Sequence, residues 1–514
     1  MRVQSITSGD SQRCGCFRSA SLLVLAVGLT CFAFFACRRS VDWSRFDYDS
    51  VKGSLDVLVS GENLYHELSL QSITEAVSGT VEYLKNEPCV DSVGVSADSS
   101  VWVIFRNGLP GCVDSRLWDS TAVQGPTRSE PEVRITGTSA GQVSASCVIL
   151  APFMWQFGVH EAADYLAEKL LQCGPTMAIV ELTNQAVTVE KVREYLDLGP
   201  GVLYWSTHGG LLGDNGCYLL TGEWATSESM ADRLINVYNA KYEVGNRGRY
   251  LYLVPGKVDN VPGVFLGVTP AFVRRFGKFD RYGNQVPVTQ SIAYISACYS
   301  DYRTATALKD SFVAAGIDAY FGWDGEVNTE FSGDKAALSF VMLSDTFTTG
   351  EAIKALGNRT SPKGGALNLT GDSFVMIRSY VAATSGAVRK VDRYPSATVS
   401  SSGTGIAAPA CGLTLMFPGA QAGVFDVNRD PGTMLIYVDG VRGYTAMYGY
   451  QGVSGSISVG GYGRGVISGV FSGTLGWWDF TRTPPPNPMT DPPDATMVLS
   501  DGVIKTSGIA GSTE

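Results

Sequence analysis

A histidine and a cysteine each follow directly on an apolar run of the kind that forms a buried strand. One run spans residues 201–206 and leads into His208, and the other spans residues 291–296 and leads into Cys298. The carboxyl ends of parallel strands lie on one edge of a sheet, where open α/β sheets bind their ligands. If the two strands are neighbours, the imidazole and the thiol reach one substrate atom, which predicts a catalytic dyad.

The chemistry of such a dyad requires these two residue types. A thiol attacks a carbonyl carbon as the thiolate, and a histidine that titrates near about pH 6.5 can take the thiol proton and later donate a proton to the leaving amine. Glycine at position 209 allows its backbone N–H to approach a developing oxyanion, and the N–H of Cys298, predicted at the start of a helix, is a second donor. The sequence therefore predicts Cys298 as nucleophile and His208 as acid/base.

This arrangement resembles the caspase-like cysteine peptidases, a group that includes caspases, metacaspases, gingipains, clostripain and legumain. The similarity is carried by the pair His208-Gly209, by Cys298 after its apolar strand, and by the helix and strand that follow up to Trp323. It covers roughly residues 143–385. The resemblance implies hydrolysis of peptide bonds through a thioester on Cys298, with His208 as acid/base and the amides of Gly209 and Cys298 as oxyanion donors.

The substrate pocket is less well defined by the resemblance. Members that cleave after Arg or Lys often carry an Asp two residues before the cysteine, and this position is Ser296 here, so a basic P1 residue is not expected. Asp301, Trp323 and Asp324 are nearby candidates for lining the pocket together with Ser296. A hairpin-rich insertion between the two strands explains their wide separation in the chain.

The elements around the two motifs alternate regularly between apolar strands and amphipathic helices. Continuous apolar strands separated by such helices predict a mostly parallel sheet covered by helices on both faces, an α/β fold over residues 143–385. The predicted strands lie at 146–151, 177–180, 201–206, 291–296 and 319–323, and the predicted helices at 160–172, 189–196, 305–315 and 335–345.

Two further regions flank this fold. Residues 38–142 predict a small α+β unit with a strand, a helix at 73–84 and two strands, followed by a turn-rich linker or processing loop at 115–131. The unit is a candidate pro-domain. Residues 395–514 are rich in Gly, Ser, Thr and aromatic residues in short strands, which predicts an all-β sandwich.

The first 37 residues predict a targeting segment. An apolar stretch from Ser21 to Cys37 follows Arg13 and Arg18, which fits a cleaved secretory signal, an uncleaved signal anchor or a bacterial lipoprotein signal. We favour the lipoprotein signal, in which Cys37 becomes the lipidated N-terminus. The protein is then exported to the cell envelope and held at the membrane by the lipid or the anchor.

Composition narrows the classes of partner and cofactor. The 514 residues include 39 Lys+Arg and 49 Asp+Glu, for a net charge of -10, and no basic block is long enough to bind a run of phosphates, so nucleic acid is not an expected partner. The three histidines, His66, His160 and His208, do not form an HExxH motif, so neither a metal nor another cofactor is predicted.

The cysteines suggest a second feature of an exported chain. After the leader an odd number remains, which leaves at least one unpaired thiol. Cys89 with Cys112 and Cys147 with Cys173 are candidate disulfide pairs.

Two functions follow from these observations. The first is an exported cysteine endopeptidase acting on a protein or peptide substrate. The alternative is a catalytically inactive caspase-like surface protein that binds a glycan or a protein through its C-terminal region.

Overall fold

The computed structural model describes residues 46–511, apart from the segments 115–132, 137–145, 172–177, 246–248 and 280–290 and shorter gaps of up to four residues. The predicted leader, with its lipidation candidate Cys37, lies outside the described residues, as does the whole of the predicted linker at 115–131. Within the described part of the chain, no helix combines the length and the apolar character needed to cross a bilayer.

The described elements alternate as the sequence pattern indicates up to about residue 371 and are all strands beyond it. The helices are α1 (Tyr48–Ser69), α2 (Ile73–Asn86), α3 (Met154–Phe157), α4 (Ala163–Leu171), α5 (Val189–Leu198), α6 (Ser227–Arg233), α7 (Asn239–Tyr242), α8 (Pro270–Phe276), α9 (Ala307–Ala314), α10 (Thr329–Ser344) and α11 (Thr349–Ala355). The strands up to that point are β1 (Val90–Val95), β2 (Val101–Phe105), β3 (Pro110–Val113), β4 (Val133–Thr136), β5 (Ser146–Ala151), β6 (Ala178–Thr183), β7 (Val202–Ser206), β8 (Gly209–Leu211), β9 (Cys217–Ala225), β10 (Leu251–Val258), β11 (Val261–Val268), β12 (Ile292–Ser296), β13 (Ala319–Trp323) and β14 (Leu367–Gly371).

The central sheet has the strand order β4-β6-β5-β7-β12-β13-β14. The five inner strands run parallel to one another, and the edge strands β4 and β14 run antiparallel to the inner strands beside them. From β5 the chain first adds β6 on one side and then β7, β12 and β13 on the other, which is a doubly wound order with its reversal between β5 and β7. The predicted α/β class with a mostly parallel sheet is confirmed.

Both faces of this sheet are buried, which explains why its strands are apolar at consecutive positions. Tyr204 of β7 packs into one core with Phe340 of α10, whereas Leu203 and Trp205 on the opposite face belong to a second core with Phe312 of α9. A slip of β7 by one residue would therefore move each aromatic side chain into the core that packs the other, so packing on both faces fixes its register.

A second, mixed sheet joins two distant parts of the chain. Its order is β1-β2-β3-β10-β11-β9-β8, so the N-terminal strands continue into the strands of the insertion through a parallel contact of β3 with β10, where Gly111 stands opposite Leu253. Leu55 and Leu58 of α1 enter the same core as Trp205 of the central sheet. The N-terminal region and the central fold thus share one core.

The start of the N-terminal region differs from the sequence prediction. A strand is predicted before residue 73, but the structure has the long helix α1 there. The buried residues Val51, Leu55 and Leu58 follow helical spacing, and Asp47 caps the helix by accepting from the N–H of Ser50 at 2.8 Å.

In the part of the C-terminal region that the structure describes, the regular elements are strands, in line with the predicted all-β class, and they form one connected sheet. Burial alternates along its strands: Leu413, Leu415 and Phe417 are buried, whereas Met416 is 42% exposed. The strands are β15 (Tyr380–Ser385), β16 (Val388–Asp392), β17 (Ser396–Ser400), β18 (Gly403–Ala408), β19 (Leu413–Phe417), β20 (Gly423–Asp426), β21 (Met434–Val438), β22 (Gly443–Met447), β23 (Ser454–Gly463), β24 (Val466–Trp477), β25 (Ala495–Ser507) and β26 (Ile509–Gly511). Most neighbours in the sheet are antiparallel, in the order β16-β15-β25-β24-β22-β21-β19-β18-β17-β26, and β23 joins β20 to β24.

Candidate active site

His208 and Cys298 stand at equivalent positions of two adjacent parallel strands. Strands β7 and β12 pair so that Ser206 lies opposite Ser296, and the backbone N–H of Thr207 donates to the carbonyl oxygen of Ser296 at 3.0 Å. His208 and Cys298 each follow two residues beyond this pair, at the same edge of the sheet. The structure therefore brings the two predicted residues to one place.

Both residues line a single cavity of about 840 Å³, a volume that includes its open mouth. Its described lining combines hydroxyl groups and a few charged side chains with apolar groups such as Phe157 and Val327. The hydroxyl-bearing residues are Ser206, Thr207, Ser296, Thr329 and Ser332, and the charged residues are Asp114, Glu326 and Lys363.

The His208 ring is held by side chains from the segment that follows β5, which contains the short helix α3. Its Nε2 atom lies 2.9 Å from Oε1 of Gln156. The rings of Phe153 and Phe157 meet the imidazole edge-on, with centroid distances of 4.6 and 5.1 Å. With the amide oxygen assigned as acceptor, Nε2 carries the proton of the neutral ring, and Nδ1 is left as the basic nitrogen.

This segment is itself held by Asn184, which follows the neighbouring strand β6. Asn184, just after β6, has a left-handed backbone with φ 52° and accepts through Oδ1 from the N–H of Trp155 at 3.0 Å. The ring of Phe153 also packs against Phe265 of β11 at 5.3 Å. The position of Gln156 therefore depends on three separate strands.

Cys298 is held by main-chain groups. The N–H of Val327 lies 3.4 Å from the cysteine Sγ, and Sγ lies 3.5 Å from the carbonyl oxygen of Val327. An N–H that points at sulfur stabilises the thiolate relative to the thiol. The contact places the Cys298 thiol beside the loop between β13 and α10.

The segment after Cys298 differs from the sequence prediction. A helix is predicted to begin at this cysteine, but Cys298 lies in a turn and α9 begins at Ala307. Tyr299 has φ 60°, a left-handed conformation that a right-handed helix cannot contain, and its N–H donates to the carbonyl oxygen of Gly325 at 3.0 Å. Strained residues of this kind occur preferentially at functional sites.

Gly209 is in close contact with the backbone that carries the cysteine. A Cβ atom at this position would lie 2.5 Å from the carbonyl oxygen of Cys298 and 3.2 Å from the Cβ of Ala297. Only glycine allows the two main chains to approach so closely. The structure thus places the Gly209 amide next to the Cys298 turn, as the predicted oxyanion role requires.

Of the four candidates for the substrate pocket, Ser296 lines the cavity. Its hydroxyl makes a short hydrogen bond with that of Ser332 on α10. Ser206, which also lines the cavity, donates together with Tyr204 to Glu161, a buried carboxyl whose pKa is raised by its burial. Around Ser296 the described lining therefore presents the hydroxyl groups of Ser206, Ser296 and Ser332.

Asp301, Trp323 and Asp324 are not among the described residues that line the cavity. Asp301 is buried and forms an ion pair with Lys309 at 2.6 Å, and Trp323 is fully buried. Asp324 accepts from the backbone N–H of Ala366 at 2.6 Å. These contacts hold the loops behind the cavity.

Sequence reasoning missed Gln156 and Asp114 as residues near the dyad. Gln156 follows the end of β5 by a few residues, and the rule that strand ends carry functional groups would have found it. Asp114 follows β3 of the other sheet, so only the packing of the two sheets brings it here.

The remaining predictions concern cysteines, histidines and metals. Cys89 carries a free thiol, so the candidate pair of Cys89 with Cys112 is not formed, and Cys173 lies outside the described residues. His66 and His160 end helices at other positions. Among the described residues no group of three or more His, Cys, Asp or Glu side chains is arranged to hold a metal ion.

Comparison with known proteins finds no family model that matches this chain and no curated protein of similar sequence. The assignment of the site therefore depends on its geometry.

Proposed function

We propose that this protein is a caspase-like cysteine endopeptidase with Cys298 as nucleophile and His208 as acid/base. One observation carries the proposal. The imidazole and the thiol stand two residues beyond paired serines on adjacent parallel strands and line the same open cavity.

In the proposed reaction, Nδ1 of His208 takes the proton of the Cys298 thiol, and the thiolate attacks the carbonyl carbon of the scissile peptide bond. The amides of Gly209 and Cys298 donate to the oxyanion of the tetrahedral intermediate. The intermediate collapses as the imidazolium gives its proton to the leaving amine, which leaves a thioester on Cys298. A water molecule, deprotonated by His208, then hydrolyses the thioester and releases the carboxylate product.

Gln156 acts in this reaction as a positioning residue. Its amide oxygen accepts from Nε2 and can follow the ring through both the neutral and the cationic state, because Nε2 is protonated in each. The hydroxyl-bearing floor around Ser296 favours an uncharged side chain at the P1 position, in line with the absence of an Asp two residues before the cysteine.

We also propose that the protein acts at the cell envelope. The apolar stretch that ends at Cys37 supports export to the cell envelope, with the chain attached to the membrane by a lipid on Cys37 or by an uncleaved anchor.

The test is selective alkylation of the folded full chain with iodoacetamide near pH 6.5, read by mass spectrometry. We expect Cys298 to react at least tenfold faster than Cys89, a half-buried free thiol whose pKa is raised by burial and which serves as the internal control. His208→Ala is expected to remove the difference. Turnover of a fluorogenic peptide library is measured in parallel with Cys298→Ala.

Two results would contradict the proposal. If Cys298 reacts no faster than Cys89, or if Cys298→Ala retains the turnover, this site is not a peptidase. An inert Cys298 without turnover would favour the non-catalytic binding protein.

A further inference from the structure

A carboxyl group from the N-terminal region lies in the wall of the cavity. Asp114 follows β3 directly and lines the cavity with Phe157 and His208. Only 4% of its surface is exposed, so the carboxyl lies in surroundings of low dielectric constant.

Asp114 is hydrogen-bonded to the strand pair β8 and β9, which follows His208 in the chain. The hydroxyl of Tyr218 donates to its Oδ2 at 2.7 Å. Tyr218 belongs to β9 and pairs with Gly210 of β8, one residue beyond the candidate oxyanion donor Gly209. The carboxyl is therefore held in one orientation beside the dyad.

A second carboxyl lies behind the first. Glu62 of α1 is fully buried, and its Oε2 accepts from the backbone N–H of Asp114 at 3.0 Å. Burial and the neighbouring Asp114 raise the pKa of Glu62 well above its usual range. Glu62 thus retains its proton more readily than an exposed glutamate.

The other charged groups of the cavity are more exposed to solvent. Glu326 is half-buried and accepts from the hydroxyl of Tyr299 at 3.3 Å, and Lys363 is exposed. A cation gains more from a carboxylate that is shielded from water than from one that water screens. Asp114 is therefore the group in this cavity best placed to bind a cation.

We propose that Asp114 binds a positively charged side chain, Lys or Arg, of the peptide substrate. This side chain stands at a substrate position other than P1, whose side chain enters the hydroxyl-bearing floor. The inference rests on the proposed function in that the ligand is a peptide. It also makes the N-terminal region part of the substrate site, which a removable pro-domain would not be.

The experiment measures binding rather than hydrolysis. The probes are fluorescein-labelled hexapeptides in pairs that differ only by Lys or norleucine at one position, with one pair for each position. Each peptide is titrated with the full chain carrying Cys298→Ala, and binding is followed by fluorescence anisotropy. At one position Lys is expected to bind at least tenfold more tightly than norleucine. Adding Asp114→Asn is expected to remove this preference without weakening the norleucine peptide, whereas adding Glu326→Gln as matched control is expected to retain it.

A second measurement keeps the test valid if Asp114→Asn does not fold. Carbodiimide coupling of the Lys peptide to the chain with Asp114 intact is expected to join its amine to the Asp114 carboxyl, located by mass spectrometry. Equal binding of both peptides at every position, no binding of either, or coupling at Glu326 alone would overturn the inference. Turnover of the same peptides by the unmodified chain tests the proposed function separately.

Discussion

The two strand ends that meet at the cavity are held by different kinds of contact. At the end of β7, side chains hold His208, with Gln156 at one ring nitrogen and Phe153 packed at the ring edge. At the end of β12, main-chain groups hold Cys298, namely the N–H of Val327 and the close backbone of Gly209. The imidazole of His208 can therefore be perturbed by shortening one side chain, whereas the contacts that hold the Cys298 thiol are lost when a substitution displaces the backbone.

The largest expected effect is on the aromatic support of the histidine. Phe153 is 1% exposed, and Phe153→Ala should lower the free energy of unfolding by about 3–5 kcal/mol, since it leaves a cavity between His208 and Phe265. Urea denaturation measures this loss. Phe312→Ala, a fully buried control on α9, should cost a similar amount but leave the turnover of the folded fraction unchanged. Turnover that both variants retain equally, or lose equally, would refute the specific role of Phe153.

On the cysteine side, Gly209→Ala should lower kcat by about 10²–10³-fold, the usual effect of losing an oxyanion donor. The added Cβ would lie 2.5 Å from the carbonyl oxygen of Cys298, so the backbone must shift. Gly53→Ala, where a Cβ meets no atom within 4 Å, is the control and should leave kcat unchanged. Peptide turnover tests this prediction. If the Gly209→Ala variant remains active, the close contact of Gly209 with Cys298 does not position an oxyanion donor.

Removal of the hydrogen bond to the imidazole should have a smaller effect. Gln156→Ala is expected to lower kcat roughly tenfold to a hundredfold, which corresponds to about 1–3 kcal/mol for the loss of this partly buried hydrogen bond, with little change in KM. Gln156→Glu keeps an acceptor and adds a negative charge, which favours the imidazolium. Its pH–rate profile should shift to higher pH on the acidic side while most of kcat is recovered. Identical profiles for the two variants would exclude a positioning role.

The smallest expected effect is the change in stability caused by Glu161, whose carboxyl accepts from Tyr204 and Ser206 of β7. Burial raises the pKa of Glu161 above its ordinary value of 4.5, so the folded state binds this proton more tightly than the unfolded state. The chain should lose stability as the pH rises from about 4.5 through the folded-state pKa. Glu161→Gln should therefore be the more stable protein at neutral pH, with the difference disappearing below pH 4.5. Urea midpoints across this range test the sign, and a difference that grows in acid would contradict it.

Prediction from the sequence succeeded where burial on both sides of the sheet leaves a strong pattern. Strands β5 and β13 have the predicted bounds, 146–151 and 319–323. It was less accurate for α10, which begins at Thr329 rather than at residue 335. The first turns of that helix bury Ser332 and Gly333 instead of large apolar side chains, so no helical periodicity marks them.

The sequence by itself determined the α/β class, the two strand ends that carry His208 and Cys298, and the all-strand C-terminal region, because local periodicity reports which faces are buried. Only the tertiary structure decided that β7 and β12 are neighbours, that Gln156 contacts the imidazole and that Asp114 enters the cavity. These contacts join residues far apart in the chain through loops, where no periodic pattern records which partner each side chain meets.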